Sequence, residues 1–204
     1  ECAVSGVHGA NRLGGNSLLE GAYFGKIAGK EAAKSAYRKE YLPVDYAEVE
    51  KDMNLVEFVL KGESRFNINA IRKSLGTMLF ENAGVFRDVS SLGNAISYTA
   101  YLRGKLYGLA CVNKEKENNV ELSSILEFRN ALLIAEALAN TAYKREESRG
   151  VHFRDDFPRQ DNKHFKAASY IRKMGKEFMD IRFESMEEID IWHTIKKYLL
   201  QQKG

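Results

Sequence analysis

The sequence predicts a mainly α fold: an antiparallel three-helix bundle, preceded by a glycine-rich loop with one helix and followed by a β-hairpin and a terminal helix. Three observations predict it. Amphipathic segments with apolar residues at helical spacing recur three times between 67 and 150, joined by short links. Gly6, Gly9, Gly14 and Gly15 crowd the first sixteen residues ahead of a helical stretch. Aromatic and β-branched residues flank Gly175 near the end. The bulk composition fits an ordinary globular chain, with 204 residues, 44% hydrophobic and 29% charged. A formal charge of +3 without a long basic block argues against nucleic acid as a partner. Cys2 and Cys111 form no CxxC pair, so neither a metal site nor an iron–sulfur cluster is expected, and a reducing compartment is the simpler reading. No apolar run reaches the roughly eighteen residues of a membrane span.

In chain order, residues 1–16 (ECAVSGVHGANRLGGN) read as a strand end and a functional loop. Because the chain opens on Glu1 without a Met and drops into such a loop, an excised piece of a longer protein is expected. A helix starts at Asn16 or Ser17 and runs to about Lys39. Gly21, Gly25 and Gly29 recur every four residues, which puts them on one face where another backbone can approach closely. Each glycine costs a helix about 1 kcal/mol relative to Ala, so a packed partner is expected on that face. Pro43 closes the segment, and Val49, Met53, Val56 and Leu60 form a short amphipathic helix ended by Gly62.

The bundle follows. Ile71, Leu75, Met78 and Leu79 stripe its first helix, which Ala83 and Gly84 stop; Ser91 is placed to cap the second, whose apolar residues are Leu92, Ile96, Leu102, Leu106 and Leu109. The third runs from about Val120 to Arg145 with Leu122, Ile125, Leu126, Leu132, Leu133, Ala137 and Tyr143, behind Asn118 and Asn119 as capping candidates. The polar, aperiodic stretch Lys144–Phe165 contains Pro158 and is expected to lie extended over a surface. A hairpin around Gly175 and a helix over 186–202, with Ile189, Trp192, Ile195 and Leu199 on one side, complete the chain. The predicted organisation is loop and helix (1–43), helical connector (44–66), three-helix bundle (67–150), and strip, hairpin and terminal helix (151–204).

Chemistry concentrates in HGANRLGGNS. The helix start exposes unpaired N–H groups with partial positive charge, and Gly14 and Gly15 let a ligand touch the backbone there. Arg12 adds a planar, permanently charged fork suited to a carboxylate. On spacing alone, an Arg that ties the loop together by bonding carbonyls is an equal reading. Arg149, His152, Arg154 and Asp156 invite a triad reading, against which stands an ion-pair and capping network that docks the strip. His164 and His193 have no supporting residues around them.

The strings HGANRLGGNSLLE and ESRGVHFRDDFP, with Glu1 seven residues before His8, resemble two signatures of the succinate dehydrogenase and fumarate reductase flavoprotein subunit family. The resemblance implies that residues 1–43 close an FAD-binding α/β domain and that the bundle is the family's C-terminal helical domain. It implies FAD as cofactor, with Glu1 bonding its hydroxyls and Asn16, Ser17 and Leu18 at its flavin end. Arg12 and the amide of Gly15 become binders of a C4 dicarboxylate, succinate or fumarate. His8 becomes a largely structural loop residue, and Arg149 or Arg154 could reach toward the flavin edge or a partner. An iron–sulfur subunit follows as a partner, with a membrane anchor subunit beyond it, and the implied location is the cytoplasm or the cytoplasmic or matrix face of a membrane, peripherally bound. No GxGxxG unit for the pyrophosphate occurs in the chain, and neither does the family's proton-transfer arginine, so the catalytic set is expected elsewhere in the parent. The chain alone is therefore expected to be inactive and not to retain FAD. Two other readings stand beside this one: a piece of L-aspartate oxidase, against which LGGNS and ESRG argue, and a non-catalytic module that docks a subunit.

Overall fold

The computed structural model describes residues 6–37, 39–41, 43–174 and 178–185. Glu1, Cys2, Gly175, His193 and the helix expected over 186–202 lie outside them.

Helix α1 (Asn16–Ala36) ends a few residues earlier than its pattern predicts. It buries none of its residues, and side chains added at Gly21, Gly25 or Gly29 would meet nothing within 4 Å. The close-packed partner expected on that face is therefore absent among the described residues. Helix α2 (Tyr46–Lys61) begins where the Asp45 carboxylate accepts from the Ala47 amide and ends at Gly62. Of the expected stripe, Leu60 is buried and Val56 packs half-buried against the core, while Val49 and Met53 stay exposed and Val59 takes a buried place the pattern did not mark. The C-terminal half of α2 reaches the core through Leu55, Val56, Val59 and Leu60, and the Val59 carbonyl accepts from the Cys111 amide at 3.0 Å.

Helices α3 (Ile68–Ala83), α4 (Val89–Lys105) and α5 (Val120–Lys144) form the bundle. Asn67 caps α3 by accepting from Ala70 N, and Asn119 caps α5 by accepting from Leu122 N. The cap of α4 is Asp88, not Ser91: Asp88 Oδ1 accepts from Ser91 N at 2.7 Å while Ser91 Oγ accepts from Asp88 N. Ser91 is thus the third-position half of a reciprocal capping box. The Arg65 amide bonds Gly108 O, which places the end of α4 beside the start of α3. Val89 N bonds Asp156, whose partner Arg154 bonds the last carbonyls of α5, so the start of α4 lies beside the end of α5 and α4 is antiparallel to both neighbours. The core joins Leu75, Met78, Leu92, Ala95, Leu102, Ile125, Phe128 and Leu132. Phe128, 1% exposed, was not in the predicted stripe, whereas Leu133 and Tyr143 were and remain partly exposed. Packing against two helices at once rotates the buried arc of α5 onto Ile125, Phe128, Leu132, Ala135 and Ala139.

Two short strands, β1 (Phe86–Arg87) and β2 (Phe153–Arg154), pair in parallel across the ends of α3 and α5. After the short helix α6 (Asn162–Phe165), strands β3 (Ala167–Met174) and β4 (Phe178–Ser185) form an antiparallel hairpin with Ile171 opposite Ile181.

Candidate functional site

The strip between α5 and the hairpin is built inward as well as along the surface, which corrects the purely superficial course expected for it. Glu147 is fully buried and Arg154 is 1% exposed. Glu147 accepts from Arg145 Nη1 at 2.6 Å, from Arg149 Nε and Nη2 at 2.8 and 2.9 Å, and from the Asp161 amide at 2.9 Å. Burial alone would raise its pKa, but the bonds from Arg149, Asp161 and Arg145 outweigh burial and hold it below the ordinary carboxylate value. Glu147 was not singled out from sequence. A signal was present, because Arg145 and Arg149 stand two residues either side of it, a spacing that puts all three on one face of extended chain.

Arg154 joins the ends of two helices. Its Nη1 donates to the Ala142 and Tyr143 carbonyls at 3.0 Å each, orphan acceptors of the last turn of α5. Its Nε and Nη2 form a two-bond pair with Asp156, both at 2.7 Å, and Asp156 in turn accepts from Val89 N at the start of α4. A cation therefore sits at a helix C-terminus and an anion at an N-terminus. The bond from Arg154 is the main reason that the Asp156 pKa is lowered. His152 lies between Arg87, which donates to Nδ1 at 2.9 Å, and the Arg145 carbonyl, which is 3.1 Å from Nε2. These partners require a neutral ring with its proton on Nε2. Burial is the largest cause of its lowered pKa, and the facing cations Arg87, Arg145 and Arg154 lower it further. His164, exposed, pairs with Asp161 Oδ2.

The loop before α1 presents the other residues. His8 is held by Glu20 through its Nε2, while among the described residues its buried Nδ1 has no hydrogen-bond partner. Glu20 was not foreseen, since nothing local to His8 marks it. Gly9 and Gly15 adopt φ of 56° and 84°, a region that costs other residues strain. Gly15 is the N-cap of α1 and has no side chain to cover the first-turn amides. Arg12, Gly14, Gly15, Asn16 and Leu18 are exposed and Ser17 is half-buried. Within a few residues the loop carries an exposed arginine and an uncapped helix N-terminus, residue types that suit an anion or an electron-rich ring edge. Strip and loop touch: the Val151 amide donates to the Ala10 carbonyl at 3.2 Å.

The fold is thus a helical domain preceded by a glycine-rich loop and one helix. Residues 72–198 match the family described as Fumarate reductase flavoprotein C-term, and the chain belongs to that family. It is 34% identical over 165 residues to the fumarate reductase flavoprotein subunit of Haemophilus influenzae, an alignment covering 79% of this chain and 27% of the relative. It is 34% identical over 168 residues to the 8-methylmenaquinol:fumarate reductase flavoprotein subunit of Wolinella succinogenes, covering 81% and 27% respectively. Among solved structures, the Mycobacterium smegmatis Sdh1 complex in its apo form superposes with a TM-score of 0.78 at 28% identity, covering 88% of this chain and 31% of that one. The chain therefore spans under a third of the length of these relatives.

Proposed function

We propose that this chain supplies the dicarboxylate-binding loop and the C-terminal helical domain of an FAD-dependent flavoprotein subunit that interconverts fumarate and succinate. The observation that carries the reading is the exposed Arg12, set between two positive-φ glycines and beside a helix start whose cap residue has no side chain. Side chains added at Gly9, Gly14 or Gly15 would meet nothing within 4 Å among the described residues. That space and the bare N-terminus fit a flavin edge. Asn16, Ser17 and Leu18 would hold it, with Glu1 at the cofactor's hydroxyls, and FAD when bound would supply the two-electron chemistry. Arg12 and the Gly15 amide would grip one carboxylate and orient the substrate, an electrostatic and positional contribution. The proton-transfer group belongs to the remainder of the flavoprotein. An iron–sulfur subunit would take the electrons and a membrane anchor subunit would hold the assembly at the cytoplasmic or matrix face. No described helix is long and apolar enough to cross a membrane, in keeping with a peripheral placement through partners. In this reading residues 1–43 close the FAD-binding domain, 44–66 connect it to the bundle of 67–150, and 151–204 carry the strip and hairpin.

Arg12→Ala in the full-length flavoprotein tests the proposal. Loss of the cation that grips and orients a substrate carboxylate is expected to lower kcat/KM for fumarate by about 10²-fold or more, with FAD still bound by its absorbance. Unchanged kcat/KM would remove Arg12 from the site, and with it this reading.

A further inference from the structure

The contact between strip and loop brings the two signature strings together at one point. The turn Arg149–His152 is closed by two backbone bonds, Arg149 N to His152 O at 2.8 Å and His152 N to Arg149 O at 3.0 Å. It is fixed from beneath: Arg149 forks onto the buried Glu147 and reaches Asn162 Oδ1 at 2.8 Å, and His152 is pinned between Arg87 and the Arg145 carbonyl. At its tip Gly150 has φ 59°. A Cβ there would run into the carbonyl oxygen of Ala10 and stand 2.8 Å from the Ala10 Cβ. The Val151 amide bonds that same carbonyl. Ala10 is two residues before Arg12, and on its other side the loop is held to α1 by His8 and Glu20.

We infer that the Arg149–His152 turn is a latch that positions the dicarboxylate-binding loop, with Gly150 as the positioning residue. Its missing side chain lets the Ala10 carbonyl seat on the Val151 amide, and that seat sets where the Arg12 guanidinium stands. This rests on the assignment of Arg12 to a dicarboxylate given above. The helical domain then does more than fill space behind the cofactor domain. Through one backbone hydrogen bond, it holds the geometry of the cation that grips the substrate, and such a grip is sensitive to displacements of about 1 Å.

The test uses the full-length holoenzyme, with malonate as a non-reacting dicarboxylate read by its perturbation of the flavin spectrum. Gly150→Ala is expected to weaken malonate and lower kcat/KM for fumarate by about tenfold or more, while flavin content holds. Gly150→Asn separates contact from backbone strain, because Asn tolerates positive φ yet still carries a Cβ. It is expected to match Ala, and wild-type malonate affinity in the Asn variant would overturn the latch. So would unchanged malonate affinity in the Ala variant. If the Gly150 variants do not accumulate with flavin, Arg149→Lys decides: losing the fork loosens the turn without filling the contact, and malonate is expected to weaken by about threefold. No change there overturns the latch. Arg12→Ala run in parallel distinguishes the two failures. Intact malonate binding without Arg12 defeats the functional reading, whereas lost binding without Arg12 and intact binding in the Gly150 variants defeats the latch alone.

Discussion

Helices α1 and α5 have comparable lengths, 21 and 25 residues, and opposite fates. α5 is closed on every side that matters: Asn119 caps its start, Arg154 and His152 bond the carbonyls of its end, and residues from Leu122 to Ala142 enter the core. α1 buries nothing, starts on a glycine, and leaves Leu18 81% and Leu19 71% exposed. The difference teaches that helicity along a sequence and stability within a chain are separate properties. α5 is stabilised by what this chain contains, while the apolar residues and bare glycine face of α1 are suited to a surface outside it.

The largest effect expected from this contrast is at Phe128. Phe128→Ala on α5 should lower the unfolding free energy of the chain by about 3–5 kcal/mol, because the ring is nearly inaccessible and its neighbours cannot collapse fully. Denaturant titration reads this, and a loss under about 1 kcal/mol would mean that α5 is not the centre of the core. An intermediate effect concerns the closure at the end of α5. His152 has a lowered folded pKa, so the unfolded chain binds more protons as pH falls below the ordinary histidine value near 6.5. Its contribution is fully present above that pH and declines as pH drops through the folded pKa. Stability should therefore slope downward below about pH 6.5, and His152→Asn should flatten that slope; an identical slope in the variant would assign it to other groups. The smallest effect lies on α1. Gly25→Ala meets open space and should stabilise the chain by about 0.5–1 kcal/mol. In the full-length flavoprotein the same change should be neutral or harmful if a backbone packs on that face, and stabilisation in both contexts would show that it does not.

Much of the fold was legible because its signals are local. Asn119 and the stop at Ala83–Gly84 were read from residues within one turn of the helix ends they define. The cap of α4 was misplaced by one turn because Ser91 and Asp88 are both capping residues, and only backbone geometry tells which of two reciprocal partners leads. The expected stripe on α5 missed Phe128, since periodicity gives an arc and the neighbouring helices choose its centre. In the candidate site, residue type and spacing left Arg12 between a ligand and a loop-tying role, and only the resemblance of the two strings implied a dicarboxylate for Arg12 and Gly15, whereas Glu20, Glu147 and the role of Gly150 were not singled out. Each of those three acts through a partner on another segment, or through a turn whose shape no short window encodes.

Residue order alone determined that this chain makes three long amphipathic helices, a hairpin and a glycine turn bearing an arginine, because propensity, capping and periodicity operate over a few neighbouring positions. The tertiary structure decided that Arg154 and Asp156 tie the end of α5 to the start of α4, and that Ala10 rests against Gly150. Such pairings join segments far apart along the chain, and their geometry exists only once the core has set the helices in place.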